Sequence, residues 1–552
     1  MKSLKIYLLL TILIQISVYG DSSEKQLSRD YHIDVLINQI GYMPEAGKFC
    51  VVKGQEGKDF EVVDLSSLEV VYRGELKVMT GDFGRYGQGD FTAVKTSGRY
   101  FIQSGDSRSY PFSISKTVYE EPIKQTVAYF STQRCGPSLS GYLAPCHVDD
   151  GIRKDNGKHQ DVSGGWHDAS DLRKWVAATI YGMVGLGKTY ELRGAEGGAH
   201  ILDELRWGNR YFLNMQEPEG YVMDYIGGDV EEHSDSNRWT DNEIGEAGGE
   251  LHLFKPTAGE FSHDMFIFGE NDDRVIATEP VRLMAQFSFV SAEAMMARFT
   301  KQLDRDYSQR CLDAAQRCFE WAIRREEEWN TGMIGTSIEA AVELYKATGS
   351  DAYEAFAVEQ VRRLRTLQMT DEGSEVRGFY FTSETDKEPF KQIWQNGWGF
   401  HSICSLLETF PDHSESALWK QMISSYAKDY LSFFSKRNNF GIVPYGLYDS
   451  DSIPGNRKAG AYMYRYFMRT EPVWWVGINA NITSAGVGLM RASRILNDPE
   501  LAHIAQRQLD WVVGVNPFSS STFVGYGYNH PPHFGGTSFL PNTPVIPGAV
   551  LN

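Results

Sequence analysis

The sequence predicts a small all-β sandwich followed by a large all-α domain, and three observations carry that expectation. Between residues 31 and 116, runs such as IDVLIN, KFCVV, FEVVDL, LEVVYRGELKV, DFTAV, GRYFI and SYPFSI, rich in β-branched and aromatic residues, alternate with Gly, Asp and Ser turns. After residue 120 the apolar residues recur at three-to-four spacing in long segments. At 552 residues the chain also exceeds the roughly 250 to 300 at which one hydrophobic core stops growing.

Residues 1–20, MKSLKIYLLLTILIQISVYG, place Lys2 and Lys5 before an apolar run that ends at the small residues Val18 and Gly20. That is the layout of a secretory signal peptide, so export to the periplasm or the exterior is expected. The run is shorter than the ~20 residues a bilayer needs, and no later segment qualifies as a span. The seven β runs of 31–116 suit an immunoglobulin-like sandwich. Helices are expected near 122–134, 173–193, 199–215, 279–301, 305–328, 334–348, 351–369, 397–410, 415–434, 476–496 and 499–515. Long loops rich in Gly, Asp and Trp fall at 216–277, 370–396 and 437–475, and loops of that length usually carry function.

Hydrophobic residues at 42% and charged residues at 23% describe a chain that folds nearly throughout. A net charge of −18, with no basic stripe, excludes a nucleic-acid partner. The six cysteines are too few for a disulfide scaffold. Export would permit one or two bridges, with Cys135 and Cys146 the pair to test, while Cys311 and Cys318, seven apart in a helical segment, read as buried thiols. No CxxC or HExxH spacing gives a zinc site, so no residue is assigned as a metal ligand and no cofactor is required. Acidic loops at 231–243 and 269–274 could hold a structural calcium, with a solvated loop as the simpler account.

The chemistry concentrates in DVSGGWHDASDLRKW, residues 161–175, where Asp161, Asp168 and Asp171 fall within eleven residues. Asp168 and Asp171 lie three apart at the start of a helix, where the first-turn N–H groups and the dipole keep carboxylates ionised. Such a pair can hold and deprotonate a water. For a single Asp before a helix, capping is the more ordinary account. Gly164 and Gly165, however, allow close backbone approach, and Trp166 offers a face on which a sugar ring can stack. Trp239, Trp394, Trp398, Trp474 and Trp475 lie in or beside the long loops, and of these Trp394 and Trp398 are the pair expected to line a cleft.

The segment DVSGGWHDASD resembles the DxSGGWxDAGD signature of glycoside hydrolase family 9, inverting cellulases and related enzymes, with Ser170 in place of a Gly. VLINQIGYMP and DFTAVKTSGRYFI resemble that family's N-terminal Ig-like domain. YFSTQRCGPSL and APCHVDDG resemble the opening of its barrel, and LDWVVGVNPFSSSTFVGYGYNHPPH resembles its late LDYLLGxNPxxxSFVTGFG segment. The resemblance covers nearly the whole chain after residue 20. It implies an Ig-like sandwich at 31–116 and an (α/α)6 six-hairpin barrel at 120–552.

By the same resemblance Asp171 is the general base, Asp168 the second carboxylate that positions water, and Trp166 and His167 line the site. His530 or His533 would bind the sugar beside the cut, although NHPPHFGG carries no Arg where many relatives have PxxPHHR. An inverting mechanism sets base and acid ~6.5 to 9.5 Å apart. The family's acid is a Glu beyond the PxPG segment, and this sequence ends at PVIPGAVLN, so a barrel lacking that Glu and its twelfth helix is expected. Glu471 is the best substitute within the chain. The expected substrate is a β-1,4-glucan, or a hemicellulose such as xyloglucan or an amino-sugar oligomer. A non-catalytic carbohydrate-binding protein on the same fold is the alternative, and a purely structural surface protein fits least. The oligomeric state is not legible.

Overall fold

The computed structural model describes residues 33–54, 59–140, 146–148, 150–168, 173–227, 274–392, 397–449, 457–468, 477–531 and 546–551. The expected signal peptide and the acidic loops at 231–243 and 269–273 lie outside them. The chain forms two compact units, one of residues 1–121, 434–442 and 502–531, the other of 122–433, 443–501 and 532–552.

In the first unit, strands numbered in chain order build two sheets. One runs β1 (Val35–Leu36), β3 (Phe49–Lys53), β7 (Gly84–Asp90), β6 (Lys77–Gly81). The other runs β2 (Gly41–Tyr42), β10 (Phe112–Ile114), β8 (Gly98–Ser104), β4 (Asp59–Asp64), β5 (Val70–Glu75), with β9 (Ser107–Arg108) paired to β8. All pairs are antiparallel except β10 with β2. Alternate residues enter a shared core of Tyr42, Cys50, Phe60, Val62, Phe91, Tyr100, Ile102 and Phe112. The expected strand DFTAV is a turn that contributes Phe91 and Val94 to that core. The strand in its vicinity is GRYGQGD, glycine-rich because a Cβ on Gly89 would meet the Phe60 ring at 2.5 Å.

The same unit contains residues from the far end of the chain. Asn38 Nδ2 donates to Asp510 Oδ1 at 2.8 Å, the Gln39 N–H donates to the Val513 carbonyl at 2.9 Å, and Gln39 Nε2 donates to the Ser519 carbonyl at 2.8 Å. Gly514 comes so close that a Cβ there would lie 2.7 Å from the Ile37 carbonyl. INQIGY and LDWVVGVNP therefore hold each other.

The second unit is helical, and its helices fall close to the expected positions. Leu283–Thr300 buries 16 of its 18 residues and Thr331–Thr348 buries 13 of 18, so both are surrounded by protein. Arg305–Ala322 buries only a stripe at 308, 311, 314, 315, 318, 319 and 322, and Asp351–Leu367 is similar. Each surrounded helix packs on the next surrounded one and on the amphipathic helix between them. This alternation of inner and outer helices is that of an (α/α)6 barrel. Val176–Asn214 merges two expected helices across Gly194, whose φ of 70° and ψ of 173° interrupt the α conformation. The loops expected at 216–277 and 437–475 contain strands: β13 (Met223–Gly227) and β14 (Val275–Pro280) join β11 (Ile152–Arg153) and β12 (Lys174–Trp175) in the order β11-β14-β13-β12. β15 (Gly446–Tyr448), β17 (Tyr462–Arg465) and β16 (Arg457–Ala459) form a second small sheet in this unit. Among the described residues no helix is long and apolar enough to cross a membrane.

Burial pushes the Asp510 carboxyl up to about 7, against hydrogen bonds from Gln506 and Asn38 and the charge of Arg507. The unfolded value is about 3.9, so the stabilisation is fully present below that pH and is lost as pH rises through the folded value. The unfolding free energy in urea should therefore decline from about pH 4 to 7. Asp510→Asn should flatten part of that decline, and an identical slope in the variant would reject the assignment.

Candidate active site

The segment 161–175 enters along one face of the helix Val176–Asn214 and then becomes its start. Asp161 is a turn residue, its Oδ1 accepting from the Ser163 N–H at 2.8 Å and its Oδ2 from Arg210 at 3.1 Å. Burial raises its pKa, but the Ser163 hydrogen bonds and Arg210 outweigh that and leave it lowered. Gly164 and Gly165 have φ of +94° and +73°, and a Cβ on Gly165 would stand 2.8 Å from Tyr211 Cβ. The glycine pair thus serves close packing on the helix.

Trp166 and His167, expected on the wall of a sugar site, are buried at 2% and 3% exposure. The Trp166 ring lies edge-on to Phe130 at 5.1 Å and over Gly208, where a Cβ would come within 2.0 Å of it. Its Nε1 donates to Glu204 Oε1 at 2.7 Å, and Arg134 pairs with the same carboxylate at 2.7 Å. Asp168, the next residue but one, is exposed, and its N–H donates to the Arg173 carbonyl at 3.2 Å. Asp171 lies outside the described residues, as do Trp394, His533, Glu471, Trp239, Trp474 and Trp475. Trp398 is half-buried at the first turn of the inner helix Trp398–Thr409, with its ring 6.0 Å from Tyr181. Tyr181 stands early in the helix that follows the Asp168 loop, so Trp398 and that loop occupy the same end of the inner helices. His530 belongs to the other unit, where its Nδ1 is 3.0 Å from the Ser521 carbonyl.

His167 instead joins a group that motif spacing did not indicate. Cys135, Cys146, His147 and His167 are all buried, and one potential ligand atom from each lies within 4.8 Å of the others. Cys135 Sγ is 3.5 Å from His147 Nδ1, and Cys146 Sγ is 3.6 Å from His167 Nε2. Tetrahedral zinc with bonds of ~2.3 Å to sulfur and ~2.1 Å to nitrogen would separate such atoms by ~3.6 Å, so the set fits that ion. Both cysteines are free thiols, which corrects the candidate Cys135–Cys146 bridge. Burial raises the Cys135 pKa, but Cys146, Lys174 and the two histidines pull it well below the usual thiol range, while its partner Cys146 is raised. Paired backbone hydrogen bonds between Gly136 and Cys146, and one from the Cys135 N–H to the Gly165 carbonyl, bring the four together. The adjacent Cys146-His147 and the histidine just before Asp168 were the available signals.

A barrel of alternating inner and outer helices preceded by an Ig-like sandwich is the domain arrangement of a cellulase-like glycosyl hydrolase. The chain belongs to glycosyl hydrolase family 9, whose profile matches residues 119–552, and the cellulase N-terminal Ig-like domain matches residues 30–109. It is 25% identical over 536 residues to a cellodextrinase of Butyrivibrio fibrisolvens, covering 89% of this chain and 85% of that one. It is 24% identical over 372 residues to endoglucanase D of Acetivibrio thermocellus, covering 60% of this chain and 54%, about half, of that one. The fold matches a single mutant of the thermostable endoglucanase from Alicyclobacillus acidocaldarius with a TM-score of 0.66 at 19% identity, over 94% of this chain and 89% of that one.

Because Trp166 fills a core position, Trp166→Ala should lower the unfolding free energy by roughly 3–5 kcal/mol, as removal of a packed aromatic does. Chemical denaturation measures this, and a loss below about 1 kcal/mol, within ordinary surface effects, would contradict the core role.

Proposed function

We propose that the protein hydrolyses β-1,4-linked glucan oligosaccharides and soluble polysaccharides with inversion, Asp171 acting as general base, Asp168 as the second water-holding carboxylate, and a Glu in the family's acid role protonating the leaving oxygen. The observation that carries this is the exposure of Asp168 directly after a run of fixed, buried residues, at the barrel end where Trp398 and Tyr181 meet. Asp168 follows a rigid segment, and rigid support is what a group that must hold a water in register needs. Trp398 offers an aromatic face for a sugar ring at the same end. Residues 1–20 support export. Asp171→Asn should reduce turnover of a soluble β-glucan by about 10²- to 10⁴-fold, the usual range for a general base, while oligosaccharide affinity changes little. Proton NMR of early products should show the α-anomer. Binding of cello-oligosaccharides with no turnover of any β-glucan by the full-length protein would replace the hydrolase with a carbohydrate-binding protein.

We further propose that Cys135, Cys146, His147 and His167 hold a structural zinc. The ion, when bound, would supply a crosslink between the 135–147 segment and the residue preceding Asp168. Two thiolates and two imidazoles suit a closed tetrahedral structural site. Elemental analysis should find one zinc per folded chain, and both chelation and Cys146→Ser should lower the melting temperature. Folded protein that takes up no zinc would reject the assignment.

A further inference from the structure

Lys174 is completely buried, although a lysine is among the residues least often found there. Its Nζ donates to the Val162 carbonyl at 2.8 Å and to the Gly164 carbonyl at 3.0 Å, and stands 3.4 Å from Asp150 Oδ2. These three acceptors match the three donors of an ammonium. The two carbonyls lie on the limb that leads to Asp168, whereas Lys174 lies on the limb that leaves the loop, so one side chain ties both limbs at the base. The hydrogen bond from the Asp168 N–H to the Arg173 carbonyl closes the loop just above. Below, the Tyr211 hydroxyl donates to the Lys174 carbonyl at 2.6 Å, and the Lys174 ammonium sits over the Tyr211 ring at 4.6 Å.

A buried ammonium is costly unless it is paired and fully hydrogen-bonded. Asp150 supplies the pairing and is itself held by a fork from Arg274, Nε at 3.1 Å to Oδ1 and Nη2 to Oδ2. Burial raises the Asp150 pKa, but Arg274 and Lys174 outweigh it and leave the carboxyl lowered, hence ionised. Packing alone would be served by a methionine of similar length. What the ammonium adds is a fixed distance between the two limbs.

We propose that Lys174 is a positioning residue for the carboxylate loop, setting the placement of Asp168 through its hold on the Val162 and Gly164 carbonyls. The proposal rests on the hydrolase assignment above for its effect on turnover, but not for its effect on the loop itself. Lys174→Met leaves Asp150 and Arg274 paired, so the variant retains a neutral buried pair.

Hydrogen exchange and kinetics of the full chain test it together. Lys174→Met should speed amide exchange in peptides spanning 160–175, and should lower kcat on a soluble β-glucan by about 10- to 100-fold with KM within about two-fold, since small misplacement of reacting groups has that effect. Leu202→Ala, a destabilising change elsewhere in the helix Val176–Asn214, should lower the melting temperature without altering either readout. Unchanged exchange in Lys174→Met, or a kcat loss shared by Leu202→Ala, overturns the proposal. Should Lys174→Met not fold, Lys174→Gln, whose amide has two donors for the three acceptors and no positive charge, decides by the same exchange measurement. If exchange rises while Asp171→Asn still turns over substrate, the base assignment fails and the loop anchor stands.

Discussion

One helix face holds the segment that carries the candidate carboxylates. Glu204, Trp207, Gly208 and Tyr211 recur at three-to-four spacing on Val176–Asn214, and each meets a different part of 161–174: Trp166 Nε1, the Gly165 carbonyl, the Trp166 ring and the Lys174 carbonyl. Arg210 and Asn214 extend the row to Asp161 and Ser163. The segment is thus laid lengthwise along a rigid rod. Asp168 can project into water because the residues before it have no freedom left. Function placed on a loop needs a scaffold of this kind.

The support is largely polar, which decides how it behaves. Glu204 is 1% exposed and accepts from Trp166, Arg134 and Ser131. Asp150 is 2% exposed and accepts from Arg274 and faces Lys174. A fully satisfied buried network gives less net stability than an apolar core of the same volume, but losing one member leaves the others as uncompensated charges. Such networks specify geometry more than they add stability. That bias suits a site in which ångström-scale placement matters more than the depth of the energy well.

The division into an all-β and an all-α domain was legible because it depends only on period, two before residue 120 and 3.6 after it, whereas the barrel followed from the family resemblance. The helices followed almost one for one, and Cys311 and Cys318 are buried thiols as their spacing indicated. The glycine-rich strand at 84–90 was not legible, since Gly89 answers to Phe60 and Cys50 across the core and Gly87 to Leu76, not to local propensity. The same blindness affected the site. Gly-Gly-Trp reads equally well as a ligand platform and as a packing device, and only the helix residues around 208 distinguish the two. Cys135 and Cys146 looked like a bridge because their partners, His147 and His167, follow no familiar spacing.

The motifs at the two ends of the chain carry a further physical consequence. Asn38 and Gln39 reach across more than 470 positions to Asp510, Val513 and Ser519, and Gln39 Oε1 also accepts from the Tyr528 N–H at 2.8 Å. Asn439, from a third stretch of chain, donates to the Met79 carbonyl at 2.6 Å. The unit that includes the first strands is therefore completed by residues 434–442 and 502–531. Contacts of that sequence separation form only after a large loss of loop entropy has been met. The buried polar side chains Asn38 and Gln39 must wait for their partners, while the apolar sandwich core of Tyr42, Phe60, Phe91 and Phe112 is local enough to form early. The sandwich can thus assemble first, and its last hydrogen bonds record that the rest of the chain has folded.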